Sequence, residues 1–385
     1  MSGPLPHSED LGGTWVGRAW SPDADGPCVI VVRDGIVHDL TSREVPTIRD
    51  LLELDDATGW VRAARGRPLG SLEDLAAAAR SGDDARPHLL APCDLQALKA
   101  CGVTFARSMI ERVIEERAAG DPARAEAIRE RVAGLIGASL RDIAPGSEAA
   151  QAAKAALQGE GLWSQYLEVG IGPDAEVFTK GQPLSAVGWG ATVGLHPASH
   201  WNNPEPEVVL AVDSRGRIRG ATLGNDVNLR DVEGRSALLL GKAKDNNAAC
   251  AIGPFVRLFD ESFSLDDVRA AELTLTVEGK DGFRLDGSSS MREISRDPAD
   301  LVAQTIGRHH QYPDGLMLFL GTMFAPVKDR DAPGQGFTHH AGDVVTIAAP
   351  GLGALVNGVG LATEVPEWTF GAAALMRNLA GRGLI

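Results

Sequence analysis

This chain of 385 residues has little cysteine, a deficit of positive charge and no long apolar run. Its four cysteines, Cys28, Cys93, Cys101 and Cys250, include no C-x-x-C pair, so they are expected to be reduced thiols in a cytoplasm. Lys and Arg number 37 against 52 Asp and Glu, and the net charge of −15 argues against nucleic acid or an anionic membrane as partner. No stretch of eighteen apolar residues occurs. The opening Met1-Ser2-Gly3-Pro4-Leu5-Pro6 lacks a basic region followed by an apolar one, so neither a membrane span nor an export signal is expected. With 44% hydrophobic residues, the length suits one large domain plus a smaller one.

What is present points to a divalent-metal site. Glu205-Pro206-Glu207 is followed by Asp226 and then Lys244. Residues two apart on a strand face the same side, so Glu205 and Glu207 can share one ion, and Pro206 between them fits a strand start, an edge or a bulge. Val208 to Val212 reads as a strand, Asp213-Ser214-Arg215-Gly216 as a turn and Arg217 to Thr222 as a returning strand. Asp226 then falls just past the end of the returning strand, close to the glutamates. Three hard oxygen ligands favour Mg2+, with Mn2+ or Ca2+ as alternatives, and leave coordination positions for substrate. Three carboxylates, a dication and a lysine sum to near neutrality, a setting that accepts an anionic substrate.

The wider pattern resembles the fumarylacetoacetate hydrolase superfamily. The residues that carry the resemblance are Pro204 to Leu210, Gly224-Asn225-Asp226-Val227-Asn228-Leu229-Arg230-Asp231, Gly241-Lys242-Ala243-Lys244 and Gly253-Pro254. Gly102-Val103-Thr104-Phe105, Phe178-Thr179-Lys180, Gly287 to Met291, Gly321-Thr322, Gly342 to Val345 and Gly351 to Asn357 follow in the family's order. The resemblance spans about residues 90 to 360. It implies an α+β, strand-rich fold, a mixed β-sandwich roll with the metal in a cleft of the sheet, and pairing into a homodimer or a dimer of dimers. It also selects Lys244 over Lys242 as the active-site lysine.

Hydrolytic relatives carry a histidine and, three residues on, a glutamate that together activate water; here the frame reads Ala106-Arg107-Ser108-Met109-Ile110-Glu111. Glu111 is kept, but Ser108 stands at the histidine position, and a serine hydroxyl is no general base near neutral pH. A dehydration fits better. Loss of a C3 proton from a 2-oxo acid gives a metal-stabilised enolate that expels a C4 hydroxyl, with Glu111 donating the proton that makes it water. The wording is most similar to the branch that dehydrates 2-keto-3-deoxy-pentonates, from D-xylonate or D-arabinonate, to 2-oxoglutarate semialdehyde. An acylpyruvate or diketo-acid hydrolase or decarboxylase of the same superfamily is the alternative. Arg107, Ser108, Lys180 and Thr322 are candidate substrate contacts, Lys244 and Glu111 the candidate catalytic pair, and Glu205, Glu207 and Asp226 the candidate metal ligands.

Residues 1–90 read as a small α/β module of short strands and helices, either a dimer contact or a wall of the site, and 91–385 as the catalytic domain. Within the latter, about 107–160 is alanine-rich, charged and helical in period. It is an insertion relative to simple superfamily members, read either as a lid opened by Glu111 or as a helix pair facing solvent or another subunit. The histidine pairs His196 with His200, His309-His310 and His339-His340 suggest zinc only weakly, because Pro197 interrupts the first spacing. Gly351-Leu352-Gly353 lacks the helix that a dinucleotide loop requires.

Overall fold

Val208-Val209-Leu210-Ala211-Val212 is apolar at every position, a pattern suited to a strand covered on both faces. In the computed structural model, which describes residues 3–5, 12–125, 128, 143–159, 161, 163–324 and 326–385, that strand lies inside an eleven-stranded sheet with all its residues buried. Val208, Leu210 and Val212 pack into one apolar core and Val209 and Ala211 into another.

The large sheet contains β1 (Trp15–Ser21), β2 (Gly26–Arg33), β3 (Ile36–Asp39), β4 (Arg67–Ser71), β5 (His88–Leu90), β6 (Ala97–Gly102), β7 (Glu176–Gly181), β10 (Pro206–Val212), β11 (Ile218–Asp226), β13 (Cys250–Leu258) and β16 (Leu316–Phe319). Their order is β4-β3-β2-β1-β13-β11-β10-β16-β6-β7, with β5 on β1. A second sheet of five strands, in the order β15-β14-β17-β18-β8, contains β8 (Thr192–Leu195), β14 (Glu272–Glu278), β15 (Arg284–Ser290), β17 (Val344–Ala349) and β18 (Gly353–Leu361). The short pair β9 (Asn202–Asn203) and β12 (Asn228–Leu229) completes the set. Pairing is antiparallel except for β16 with β6 and β18 with β8, so both sheets are mixed. The fold is strand-rich α+β, as expected. Among the described residues no helix is long and apolar enough to cross a membrane.

The N-terminal residues alternate as expected. Turns at Pro22 to Asp25 and at Asp34-Gly35, the last two with positive φ, link β1, β2 and β3. Helices Ile48–Glu53, Ala57–Ala63 and Leu72–Ser81 follow, capped by Thr47, Asp56 and Ser71 respectively. The large sheet runs through residue 90: β1 pairs with β13, and so the first ninety residues extend the sheet that bears the glutamates. Of the helical stretch at 107–160, helices Ala106–Ala118 and Glu148–Gly159 are seen, while 126–127, 129–142 and 160 lie outside the described residues, as therefore does part of the expected lid. Gly351 to Leu352 forms the turn between β17 and β18.

Leu210 is fully buried between β11 and β16 and tests the register directly. Leu210→Ala is expected to cost about 2–5 kcal/mol by cavity formation, read as a lower urea midpoint at unchanged m.

Candidate metal centre

The three carboxylates meet because β10 and β11 are a tight hairpin. Pro206 opposes Asn225 and Glu207 opposes Gly224 in the register. Pro206 is the first strand residue, where its missing N–H costs least. Asp226 is the last residue of β11 rather than a residue beyond it, because β13 pairs as far as Asp226 with Cys250 and holds the strand extended. Its N–H donates to Glu205 O at 3.0 Å, and the Asn225 side chain accepts from Glu205 N–H at 3.2 Å. Glu205, Glu207 and Asp226 are buried, and each offers an oxygen within 4.8 Å of the others.

Two lysines and an arginine surround this charge. Lys244 Nζ donates to Glu205 Oε2 at 2.6 Å and to Asp226 Oδ2 at 2.9 Å. Lys180 Nζ donates to the Lys244 carbonyl and lies 2.9 Å from Asp226 Oδ1. Arg112, on helix Ala106–Ala118, ion-pairs with Glu205 Oε1, with Glu115 at 2.6 Å and with Glu233 at 3.2 Å. Arg230 joins Glu115 at 2.7 Å to Glu111 at 3.2 Å, and its guanidinium lies 4.4 Å from the Trp201 ring centroid. Glu207 is held from the other side by the Gly321 N–H at 2.7 Å and the Thr322 hydroxyl at 3.2 Å. Gly321 has φ +102°, and a Cβ there would come within 2.0 Å of Thr104 Oγ1, so only glycine lets the backbone reach Glu207.

The electrostatics follow from burial and proximity. Glu207 is pushed well above the usual carboxyl range, first by burial and then by Asp226 and Glu205. Burial also acts against the charge of Asp226, but Lys180 and Lys244 outweigh it and its pKa is lowered. Lys244 is likewise opposed by burial, yet Asp226 and Glu205 hold it charged far above its ordinary value. Glu176, on the wall of the same cleft, is raised to about 7 by burial and then by Glu233. Its carboxyl group rests against Gly102, where a Cβ would come within 1.9 Å.

These residues fit a divalent cation. Asp226 Oδ1, though in ionic range of Lys180, accepts no hydrogen bond. The site gathers more carboxyl groups, those of Glu115, Glu176, Glu205, Glu207, Asp226 and Glu233, than cations, those of Lys180, Lys244, Arg112 and Arg230, an imbalance that a bound dication would reduce. The donor set is all oxygen, the choice of Mg2+, Mn2+ or Ca2+.

Among the residues expected from the sequence, Glu205, Asp226, Lys244 and Thr322 line the cleft, with Glu207 and Lys180 behind them. Lys242 is exposed. Glu111 is turned to Arg230 and is not among the cleft-lining residues. Arg107 and Ser108 stand in the first turn of helix Ala106–Ala118, and their side chains lie outside what the structure describes. Arg112, Glu176 and Glu233 also line the cleft and were not expected. A signal for Glu176 was present: on β7, positions 176, 178 and 180 share one face, and Lys180 had been singled out. Glu233 is one helical turn past Arg230, and Arg112 is the immediate neighbour of Glu111.

Residues 173–360 match the family described as fumarylacetoacetate (FAA) hydrolase C-terminal. Among curated proteins, a probable 2-keto-3-deoxyxylonate dehydratase of Haloferax volcanii is 32% identical over 50% of this chain and 63% of its own length. A 2-dehydro-3-deoxy-D-arabinonate dehydratase of Saccharolobus solfataricus is 29% identical over 48% of this chain and 58% of its own. The matches thus span less than two thirds of those relatives. A solved 2-keto-3-deoxy-D-arabinonate dehydratase, in its apo form, superposes with a TM-score of 0.62 at 19% identity over 90% of this chain and 99% of that one. The same enzyme name belongs to a complex with magnesium and 2,5-dioxopentanoate, at a TM-score of 0.61 and 19% identity over 90% of this chain and 99% of that one. These structures share the fold.

Replacing one carboxylate tests the centre without chemistry. Glu207→Gln should weaken Mn2+ binding, followed by electron paramagnetic resonance, by about a hundredfold, with far-ultraviolet dichroism unchanged.

Proposed function

We propose that the protein is a metal-dependent hydro-lyase that converts a 2-keto-3-deoxy-pentonate to 2-oxoglutarate semialdehyde with loss of one water. The observation that carries this reading is the buried triad with Lys244 bridging two of its members and a carboxylic acid, Glu176, on the same cleft wall. The names of the curated relatives support it. Glu205, Glu207 and Asp226 would hold the metal, expected to be Mg2+. When bound, the cation polarises a 2-oxo group, so a C3 proton is lost more easily.

The protein's own groups do the rest. The Lys244 ammonium sits between Glu205 and Asp226 at the cleft surface and attracts an anionic 2-oxo acid into a site otherwise dominated by carboxylates. Arg112 adds a second cation on the helix side. Glu233, also on the cleft wall, takes the C3 proton as that C–H electron pair becomes the C3–C4 double bond and the C4–O bond breaks, and Glu176 gives its proton to the leaving hydroxyl, which departs as water. Its raised pKa keeps that proton in place near neutral pH, which general-acid work requires. The resulting 2-oxo-3-ene carries a C5 hydroxyl and tautomerises to the aldehyde. Glu176 takes this role in place of Glu111, whose carboxylate is engaged by Arg230. Arg107 and Ser108, at the start of the same helix, and Thr322 are proposed to orient the substrate.

Purified protein with Mg2+ and 2-keto-3-deoxy-D-pentonate should form an aldehyde with mass loss of one water, and EDTA should stop it. Cleavage of an acylpyruvate under the same conditions, without water loss, would refute the dehydratase assignment. Glu176→Gln should lower kcat by about 10²- to 10⁴-fold. In the unchanged protein kcat should fall as pH rises through about 7, where Glu176 loses its proton, and the variant should lack that limb.

The helix bearing Arg112 is proposed as part of a lid that excludes water during the reaction. Amide exchange in 106–118 should slow when a non-reactive 2-oxo acid and Mg2+ are added together; equal protection with and without them would remove the lid.

A further inference from the structure

A second cleft lies away from the carboxylates and shares no lining residue with their site. It opens where β1, β2 and β5, the end of helix Leu72–Ser81, the loop after Leu184 and the loop before helix Ala372–Gly381 converge. Its volume is about 450 Å3, in the range of small-molecule sites, and it lies where the N-terminal residues meet the catalytic strands, a usual place for one.

Its lining is chemically unlike the rest of the chain. Three of the seven tryptophans, Trp20, Trp189 and Trp368, are here together with Phe370. Trp20 and Phe370 meet edge to face at 5.5 Å. Arg18, Arg80 and His88 line the cleft against one carboxylate, Asp84, whose side chain is 88% exposed. That basic excess stands against 52 acidic and 37 basic residues overall. Arg18 is buried and donates to the Ala91 and Cys93 carbonyls, with Asp94 at 3.9 Å, so its charge is fixed in the wall. Arg80 lies 5.2 Å from the ring centroid of Trp189. Trp189 is itself buried, and its Nε1 N–H has no hydrogen-bond acceptor among the described residues, a donor that burial makes costly to leave unpaired.

We propose that this cleft binds a planar aromatic molecule carrying one carboxylate or phosphate. The ring packs among Trp20, Trp368 and Phe370, and the anion is drawn to Arg80 and Arg18. Aromatic faces reward any flat ring, and the arginines select against an uncharged one.

The full chain is titrated with 2-naphthoate, with adenosine monophosphate and with uncharged 2-naphthylmethanol, followed by tryptophan fluorescence and calorimetry. Saturable binding at one site per chain is expected for at least one of the anions, and which anion binds tells carboxylate from phosphate. Arg80→Gln should weaken the anion about tenfold and leave the alcohol unaffected, while Trp368→Ala should weaken all ligands that bind. Both side chains are exposed and remote from the triad, so metal binding should not change. The proposal is overturned if neither anion saturates, if the alcohol binds as tightly as the anion, or if both variants bind like the parent. It is equally overturned if no probe binds and Trp368→Ala dissociates an oligomer in light scattering, because the cleft is then a contact between copies of the chain.

Discussion

Lys244 between Glu205 and Asp226 is the contact on which the site depends. Three carboxylates cannot be buried side by side without opposite charge, because the low dielectric that strengthens attraction to a cation strengthens their mutual repulsion equally. Lys244 reaches two of them from a short helix whose own carbonyl accepts from Lys180, and Lys180 is paired to Asp226 from the other side. Two lysines from distant parts of the chain are thereby locked to one aspartate. Glu207, reached instead by a backbone amide and a hydroxyl, is pushed well above the usual carboxyl range.

The same balance ties the helical segment to the sheet. Arg112 touches both Glu205 on the hairpin and Glu115 and Glu233 on the helical side. Arg230 then passes the alternation on to Glu111 and stacks on Trp201. Charges of alternating sign thus run from the centre outward, and each is satisfied only while its neighbours stay in place. The arrangement suits a site that handles an anion, since Lys244 and Arg112 stand among the carboxylates that line the cleft.

Much of this was legible in the sequence, and the exceptions have physical causes. The paired glutamates, the apolar run after them and the Gly-containing turn marked β10, the hairpin and the nearness of Asp226 to the glutamates, although the returning strand runs on to Asp226 instead of ending at Thr222. The end of β11 was misplaced because it is set by a distant partner, β13, which pairs as far as Asp226 and leaves no local trace. Glu176 was overlooked although the alternation on β7 places it beside Phe178 and Lys180. Its special property comes from burial and from Glu233, fifty-seven positions away in the chain, and no local pattern reports that. Arg112 was passed over in favour of its neighbour Glu111, since a helix turns adjacent residues by about 100° and only packing decides which one faces inward. Whether the helix at 106–118 was a lid or faced solvent or another subunit stayed open for the same reason: Arg112 and Glu115 find their partners across space.

The pairing of β1 with β13 has a consequence for how the molecule keeps to itself. β13 is the neighbour of the strand that ends in Asp226, and β1 covers its outer side at Trp15 and Val16. Without that cover, the amides and carbonyls of β13 around Val256 and Arg257 would be open to strand addition from another chain. With the first ninety residues in place the sheet ends instead on β4, a short edge strand carrying Arg67 and Pro68.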